Sequence, residues 1–142
     1  MRLHKALEEA IALKQAVLAD NSFAERLDAM TEMCVRSLKH GGRIYFCGNG
    51  GSAADAQHLA AELSGRFYFD RPPLNSEALH VNTSYLTAVA NDYSYEEIYS
   101  RLLQGTGHKG DVLIGLSTSG NSANVVNAMK VAEEMQIGRI AF

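Results

Sequence analysis

Long hydrophobic runs are absent from this sequence of 142 residues. No apolar stretch approaches the roughly 20 residues that a membrane-spanning helix needs, so we expect no membrane segment. The N-terminus leads into an amphipathic pattern and lacks the apolar core and cleavage site of a signal peptide. These two absences favour a cytoplasmic protein.

Cysteine and clustered positive charge are also scarce. The two cysteines, Cys34 and Cys47, form no CxxC pair and give no disulfide framework. The net charge is −3 and the basic residues are scattered, so no patch is available to neutralise the phosphates of a nucleic acid. We therefore expect no nucleic-acid partner, while scattered single charges still permit a sugar-phosphate ligand.

Hydrophobic periodicity divides the chain into two parts. Apolar residues recur at helical spacing through residues 1–40, until Gly41 and Gly42 break the pattern. We predict a helical hairpin here, packing on the rest of the domain or on a sister subunit. Residues 41–142 alternate short apolar runs with helical stretches, which predicts a parallel α/β sandwich. The predicted strands cover residues 43–47, 78–81, 111–116 and 138–142.

Two loops follow predicted strands and are rich in small polar residues. In an open parallel sheet, ligands bind beyond the carboxyl ends of the strands. The first loop, residues 48–52, has three glycines that allow close backbone approach, and the helix after it directs its positive end at a ligand. An ordinary strand–helix turn would explain Ser52 as a helix cap, but it would not explain the glycines.

The second loop, residues 117–122, carries four hydroxyl side chains beside a helix start. Hydroxyl and backbone N–H groups in such a position form a neutral cradle for a phosphate. A plain turn with a cap would need only one or two of these residues, so we favour a phosphate site.

Other phosphate-binding motifs fit less well. The pattern GxxxxGK[ST] does not occur, which excludes a P-loop kinase or ATPase. A relaxed dinucleotide pattern, G-x-G-x-x-A, begins at Gly48 and remains an alternative. That pattern also needs an acidic residue at the end of the second strand, where this sequence has His80, Val81 and Asn82.

The helix after the first loop places His58 and Glu62 four residues apart, on one helix face. The pair could bind a metal, or Glu62 could be the base that moves a proton next to a carbonyl. Geometry alone favours a simple surface pair, since a catalytic zinc takes about three protein ligands. Asn91 and Asp92 could likewise reach sugar hydroxyls or simply end a helix.

At these residues the sequence resembles the sugar isomerase (SIS) domains, and within them the phosphoheptose isomerases. The resemblance rests on CGNGGSAADAQHLAAELSGR (residues 47–66), on the pair Asn91-Asp92 and on GDVLIGLSTSGNSANV (residues 110–125). It implies a flavodoxin-like three-layer α/β sandwich, a cytoplasmic homotetramer and one zinc ion per subunit. It also implies conversion of sedoheptulose 7-phosphate to D-glycero-D-manno-heptose 7-phosphate, the first step toward the heptose of lipopolysaccharide core.

The resemblance assigns roles to individual residues. His58 and Glu62 match two of the zinc ligands, and Glu62 also matches the proposed acid/base residue. The residues that match substrate-binding positions are Asn49, Gly50, Gly51, Ser52, Asn91, Asp92, Ser117, Thr118, Ser119 and Ser122. An aldose–ketose isomerase needs a base, an acid and a group that polarises the carbonyl oxygen.

The sequence also departs from the family. Members continue through a last strand and a long helix, whose Gln and His complete the zinc site and supply the second acid/base group. The sequence to Phe142 contains neither. We therefore expect a protein of residues 1–142 alone to aggregate or fold loosely and to leave sedoheptulose 7-phosphate unchanged.

A non-catalytic regulatory SIS domain is the alternative to an enzyme. One bacterial relative of this type binds the replication initiator protein and resembles this chain in its loops. That relative has no glutamate at the position of Glu62, so the presence of Glu62 favours an isomerase.

Overall fold

The structure is a computed structural model that describes residues 2–142. It forms two compact units, one ending at Glu32 and one running from Met33 to Phe142. The predicted division into residues 1–40 and 41–142 stays a prediction. In the described part of the chain, no helix combines the length and the apolarity needed to cross a membrane.

Two helices open the chain, as predicted. The first, α1, spans Arg2–Ala19, and the second, α2, spans Asn21–Lys39. The Asp20 carboxylate between them accepts the N–H groups of Ser22 at 2.9 Å and Phe23 at 3.3 Å, which caps the start of α2. Every described residue of α1 is exposed, so the apolar stripe of this helix is uncovered in a single chain.

Four parallel strands form the sheet of the second unit, in the order β2-β1-β3-β4. The strands are β1 (Ile44–Gly48), β2 (Ser76–Ala78), β3 (Val112–Leu116) and β4 (Gly138–Ala141). Every residue of β1 is buried, because β1 lies between two other strands. The strand order and the parallel direction confirm the predicted α/β fold.

Helices connect the successive strands. They are α3 (Gly51–Ser64), α4 (Thr83–Asp92), α5 (Ile98–Thr106) and α6 (Ala123–Glu134), with a short 3₁₀ helix at Tyr95–Glu97 before α5. The main core cluster combines sheet residues with residues of α5 and α6, among them Tyr45, Leu103, Leu113 and Ala128. The direct pairing of β1 with β3, in which Gly48 lies opposite Leu116, places the carboxyl ends of the two strands side by side, where the two polar loops begin.

The second strand lies earlier than predicted. It spans Ser76–Ala78, so residues 79–81 fall outside it and the prediction of a strand over 78–81 is wrong at its carboxyl end. Leu79 donates one further hydrogen bond to the Phe46 carbonyl at 2.9 Å. The Asn82 side chain then accepts a backbone N–H from the first turn of α4 at 3.0 Å. The N–H of Val81 donates to the Ala78 carbonyl at 3.4 Å, so the chain turns at residues 79–80 and the strand ends before them.

Candidate active site

The first loop makes a sharp turn between β1 and α3. Gly50 has a φ of 56°, in the left-handed region that favours glycine. A Cβ on Gly48 would lie 2.7 Å from the carbonyl oxygen of Ser52, so glycine is required where the loop passes closest to the helix. Among residues 2–142, no side chain caps the start of α3. The hydroxyl of Ser52 is therefore not a helix cap, and the helix start can face a ligand.

Hydroxyl groups cluster in the second loop, between β3 and α6. The Oγ atom of Ser117 lies 3.1 Å from that of Ser122 and 3.4 Å from that of Ser119. Thr118 is exposed beside them. No side chain of the described residues caps α6, which starts at Ala123. Three serine hydroxyls therefore lie at a helix N-terminus, where the helix dipole favours an anion.

A pair of asparagine amides joins the two loops. Asn49 Nδ2 donates to Asn124 Oδ1 at 2.9 Å, and Asn124 Nδ2 donates back to Asn49 Oδ1 at 2.8 Å. Asn124 lies in the first turn of α6 and is only 3% exposed. The hydroxyl of Tyr95 donates to Asn49 Oδ1 at 3.2 Å. The two predicted ligand loops therefore form one region at the carboxyl edge of the sheet.

Asn91 and Asp92 are the last two residues of α4. Both are exposed, and Asn91 Nδ2 donates to Asp92 Oδ1 at 2.9 Å. Tyr95 follows three residues after Asp92 and contacts the first loop through Asn49. The Cα atom of Asp92 therefore lies within about 11 Å of that of Tyr95, a residue that contacts the first loop.

His58 and Glu62 share one face of α3, as their spacing predicts. His58 Nε2 lies 3.2 Å from Glu62 Oε1. The two side chains line a cavity of about 470 Å³, whose walls are mainly apolar and include Leu59, Phe67 and Phe69. A carboxylate in such surroundings is partly shielded from water, since Glu62 has only 30% of its side chain exposed.

The end of α3 is held by Arg71. Its Nη2 atom donates to the carbonyl oxygen of Glu62 at 2.8 Å, and its Nη1 atom donates to that of Leu63, also at 2.8 Å. A cation at the C-terminus of a helix satisfies carbonyl groups that have no partner within the helix. Arg71 therefore fixes the backbone that carries Glu62.

The cavity that Glu62 lines with His58 is separate from the two loops. Glu62 lies eleven residues beyond the start of α3 at Gly51, which is about 16 Å along the helix axis. None of the residues that line the cavity around Glu62 belongs to either loop. The single chain thus brings the two loops together but leaves Glu62 apart from them.

The carboxyl end of β1 carries no reactive thiol. Cys47 is completely buried, and this burial raises the pKa of its thiol to about 12. The thiol therefore stays protonated at neutral pH and is a poor nucleophile. Beside it, the hydroxyl of Tyr99 donates to the carbonyl oxygen of Gly48 and holds the strand end from which the first loop departs.

Comparison with known proteins decides the family. The family described as SIS domain matches residues 7–142. The chain belongs to the SIS domain family. This SIS domain is 54% identical over 129 residues to the phosphoheptose isomerase of Akkermansia muciniphila, covering 87% of this chain and 68% of the relative. It is 50% identical over 133 residues to that of Mycobacterium tuberculosis, covering 94% of this chain and 68% of the relative.

Two solved structures share the fold of this SIS domain. The phosphoheptose isomerase GmhA from Neisseria gonorrhoeae is similar with a TM-score of 0.89 at 42% identity, over 99% of this chain and 72% of that one. A phosphoheptose isomerase from Francisella tularensis gives a TM-score of 0.92 at 30% identity, with the same two coverages. These similarities extend over the N-terminal helices as well as the sheet.

Three residues outside the predicted site set bond to its members. Asn124 and Tyr95 contact Asn49, and Arg71 contacts the backbone of Glu62. Asn124 follows the hydroxyl-rich loop, but an asparagine in the first turn of a helix does not by itself indicate a functional residue. Its partner Asn49 lies 75 residues away, so only the folded sheet shows that the two side chains meet.

Proposed function

We propose that this SIS domain is a phosphoheptose isomerase that converts sedoheptulose 7-phosphate to D-glycero-D-manno-heptose 7-phosphate. The observation that carries the proposal is the 50% identity, over 94% of the chain, with relatives named phosphoheptose isomerase. The hydroxyl cluster at the start of α6 supports it, because a sugar phosphate needs an anion cradle of this kind. The proposal includes the use of the product, which would supply heptose for lipopolysaccharide core.

The substrate is expected to bind along the carboxyl edge of the sheet. Its phosphate would lie on the second loop and accept hydrogen bonds from Ser117, Thr118, Ser119 and Ser122. Its sugar hydroxyls would face the other two polar segments, residues 49–52 and 91–92. The amide pair between the first and second loops supports this arrangement, because it holds those two loops in one region.

Glu62 is the proposed base. Isomerisation removes a proton from the carbon beside the carbonyl, forms an enediol and returns a proton to the neighbouring carbon. A carboxylate can accept and return that proton on the same face of the sugar. The apolar walls around Glu62 would keep competing water away while the enediol exists.

A homotetramer belongs to the same proposal. It is supported by the exposed apolar side chains of α1, including Leu3 at 70%, Leu7 at 53% and Ile11 at 56% exposure. An apolar helix stripe of this kind favours burial against another helix. Since Glu62 lies about 16 Å along α3 from the loop of its own chain, a neighbouring copy would have to bring its Glu62 to the substrate.

Zinc is a further part of the proposal. The 3.2 Å between His58 Nε2 and Glu62 Oε1 suits two adjacent ligands of one ion. Within residues 2–142, no group of three or more His, Cys, Asp or Glu side chains could hold a metal, so these two residues fit only part of a zinc site. When bound, zinc would polarise a carbonyl oxygen of the substrate.

A cytoplasmic location completes the proposal. Cys34 and Cys47 are both free thiols, as is usual in a reducing compartment. Cell fractionation with an antibody against the protein would test this, and recovery in a membrane or secreted fraction would contradict it.

The role of Glu62 is tested by comparing two glutamine variants. Glu62→Gln keeps the shape of the side chain and removes the carboxylate, so we expect kcat to fall by at least about a hundredfold. Glu134→Gln, at the exposed end of α6, is the matched control and should keep wild-type turnover. Conversion would be followed by ³¹P NMR. Full turnover by Glu62→Gln would remove this role. If the wild-type protein, as its gene encodes it, left the substrate unchanged, the proposed function itself would be removed.

A further inference from the structure

We propose that Asn124 is a positioning residue that, through Asn49, holds the two substrate loops in their working arrangement. We call the two reciprocal hydrogen bonds between Asn49 and Asn124 the amide bridge. The inference rests on the proposed function, because it assigns the bridge a part in binding the sugar phosphate. It concerns a residue outside the predicted substrate contacts.

The orientation of both amides follows from their neighbours. The Oδ1 atom of Asn124 accepts the backbone N–H of Val125 at 2.9 Å as well as the N–H of Asn49. Only the oxygen of an amide can accept, so the NH₂ group of Asn124 must point to Asn49. Asn49 in turn presents its oxygen to Asn124 and to the Tyr95 hydroxyl. The four groups therefore form one consistent network.

The burial of the amide bridge makes it costly to break. Asn124 is 3% exposed, so water cannot replace a lost partner without opening the structure. In the described part of the chain, no other side-chain hydrogen bond joins residues 48–52 to residues 117–125. The bridge is thus the direct side-chain connection between the glycine-rich turn and the start of α6.

The bridge also limits what the Asn49 side chain can do for a ligand. Its Oδ1 atom already accepts from Asn124 and Tyr95, and one of its two N–H groups is used by Asn124. A carbonyl oxygen has two lone pairs, so this acceptor is fully used. Asn49 would therefore act on the substrate mainly by placing the backbone of Gly50 and Gly51, and Asn124 would set the position of Asn49.

The test compares two leucine variants of α6. Asn124→Leu keeps the number and branching of the side-chain heavy atoms but removes both hydrogen bonds of the bridge. Asn127→Leu is the matched control, because Asn127 is half-buried on the same helix and, among residues 2–142, its side chain bonds the Glu96 carbonyl alone, at 3.3 Å. Hydrogen–deuterium exchange without substrate should become faster in residues 48–52 and 117–122 of Asn124→Leu, and it should not change there in Asn127→Leu.

Kinetics then show whether the bridge serves the substrate. We expect Asn124→Leu to raise the KM for sedoheptulose 7-phosphate by about tenfold, with a smaller change in kcat, and Asn127→Leu to leave KM unchanged. If Asn124 acts through Asn49, the double variant Asn49→Ala/Asn124→Leu should be no worse than the poorer single variant. Fully additive losses, or an unchanged KM in Asn124→Leu, would overturn the inference.

The two measurements separate this inference from the proposed function. If the wild-type protein has no isomerase activity, the proposed function fails, and the part of the bridge in substrate binding fails with it. The exchange experiment still decides in that case whether Asn124 holds the two loops. If the wild type is active and exchange in both loops is unchanged in Asn124→Leu, the proposed role of the bridge is refuted and the proposed isomerase function is unaffected.

Discussion

Replacing Ser119 and Ser122 together by alanine removes two of the three clustered serine hydroxyls at the start of α6. Each hydrogen bond from a hydroxyl to a charged phosphate contributes about 1.5–3 kcal/mol, so the two together contribute about 3–6 kcal/mol. We expect the lower end, because Ser117, which lies 3.1 Å from Ser122, is then free to turn its hydroxyl to the phosphate. At about 1.4 kcal/mol for each factor of ten, affinity should fall roughly a hundredfold or more.

The double variant should remain folded. Ser119 is exposed, and Ser122 makes no side-chain cap on α6, so we expect the free energy of unfolding to change by less than about 1 kcal/mol. Isothermal titration calorimetry with sedoheptulose 7-phosphate would measure the affinity. Ser84→Ala, in the first turn of α4, is the control, since Asn82 already caps that helix. Unchanged affinity in a folded double variant would refute the phosphate assignment.

Three further predictions follow from the structure. His58→Ala should lose bound zinc, measured by mass spectrometry of the purified protein, and equal zinc in variant and wild type would contradict a ligand role for His58. Burial raises the pKa of the Cys47 thiol from 9.0 to about 12. The neutral buried thiol therefore makes its full contribution to the free energy of unfolding below pH 9, and this contribution is lost as pH rises from 9 to about 12. In urea titrations over that range, the free energy of unfolding should therefore fall more steeply in the wild type than in Cys47→Ala, by up to about 1.4 kcal/mol per pH unit, and parallel slopes would count against this reasoning. Static light scattering should give the mass of a tetramer, and Leu7→Glu with Ile11→Glu on the exposed stripe of α1 should lower it, whereas a wild-type monomer would remove the tetramer.

The fold could largely be predicted because its signals are local. Short apolar runs separated by helical stretches identify the parallel sheet, and each loop directly follows its strand in the sequence. The error in β2 has a local cause as well. Residues 78–81 look like a strand by hydrophobicity, but the chain turns at Leu79 and His80, directly after the strand ends at Ala78.

The candidate site could be predicted only in part. Small polar residues after β1 and β3 indicated both loops, because glycines and hydroxyls have a chemical meaning that can be read from the sequence. The amide bridge could not be predicted, since Asn49 and Asn124 are 75 residues apart and the sequence around one residue does not indicate a contact with the other. The separation of Glu62 from the loops also needed the structure, because it depends on the direction in which α3 runs.

The central claim is that this SIS domain isomerises a heptose phosphate. The most direct test is to incubate the protein, as its gene encodes it, with sedoheptulose 7-phosphate and to follow the sugar by NMR. The account predicts that D-glycero-D-manno-heptose 7-phosphate appears with the wild-type protein and not with Glu62→Gln. A folded wild-type protein that binds the sugar phosphate and leaves it unchanged would contradict the account.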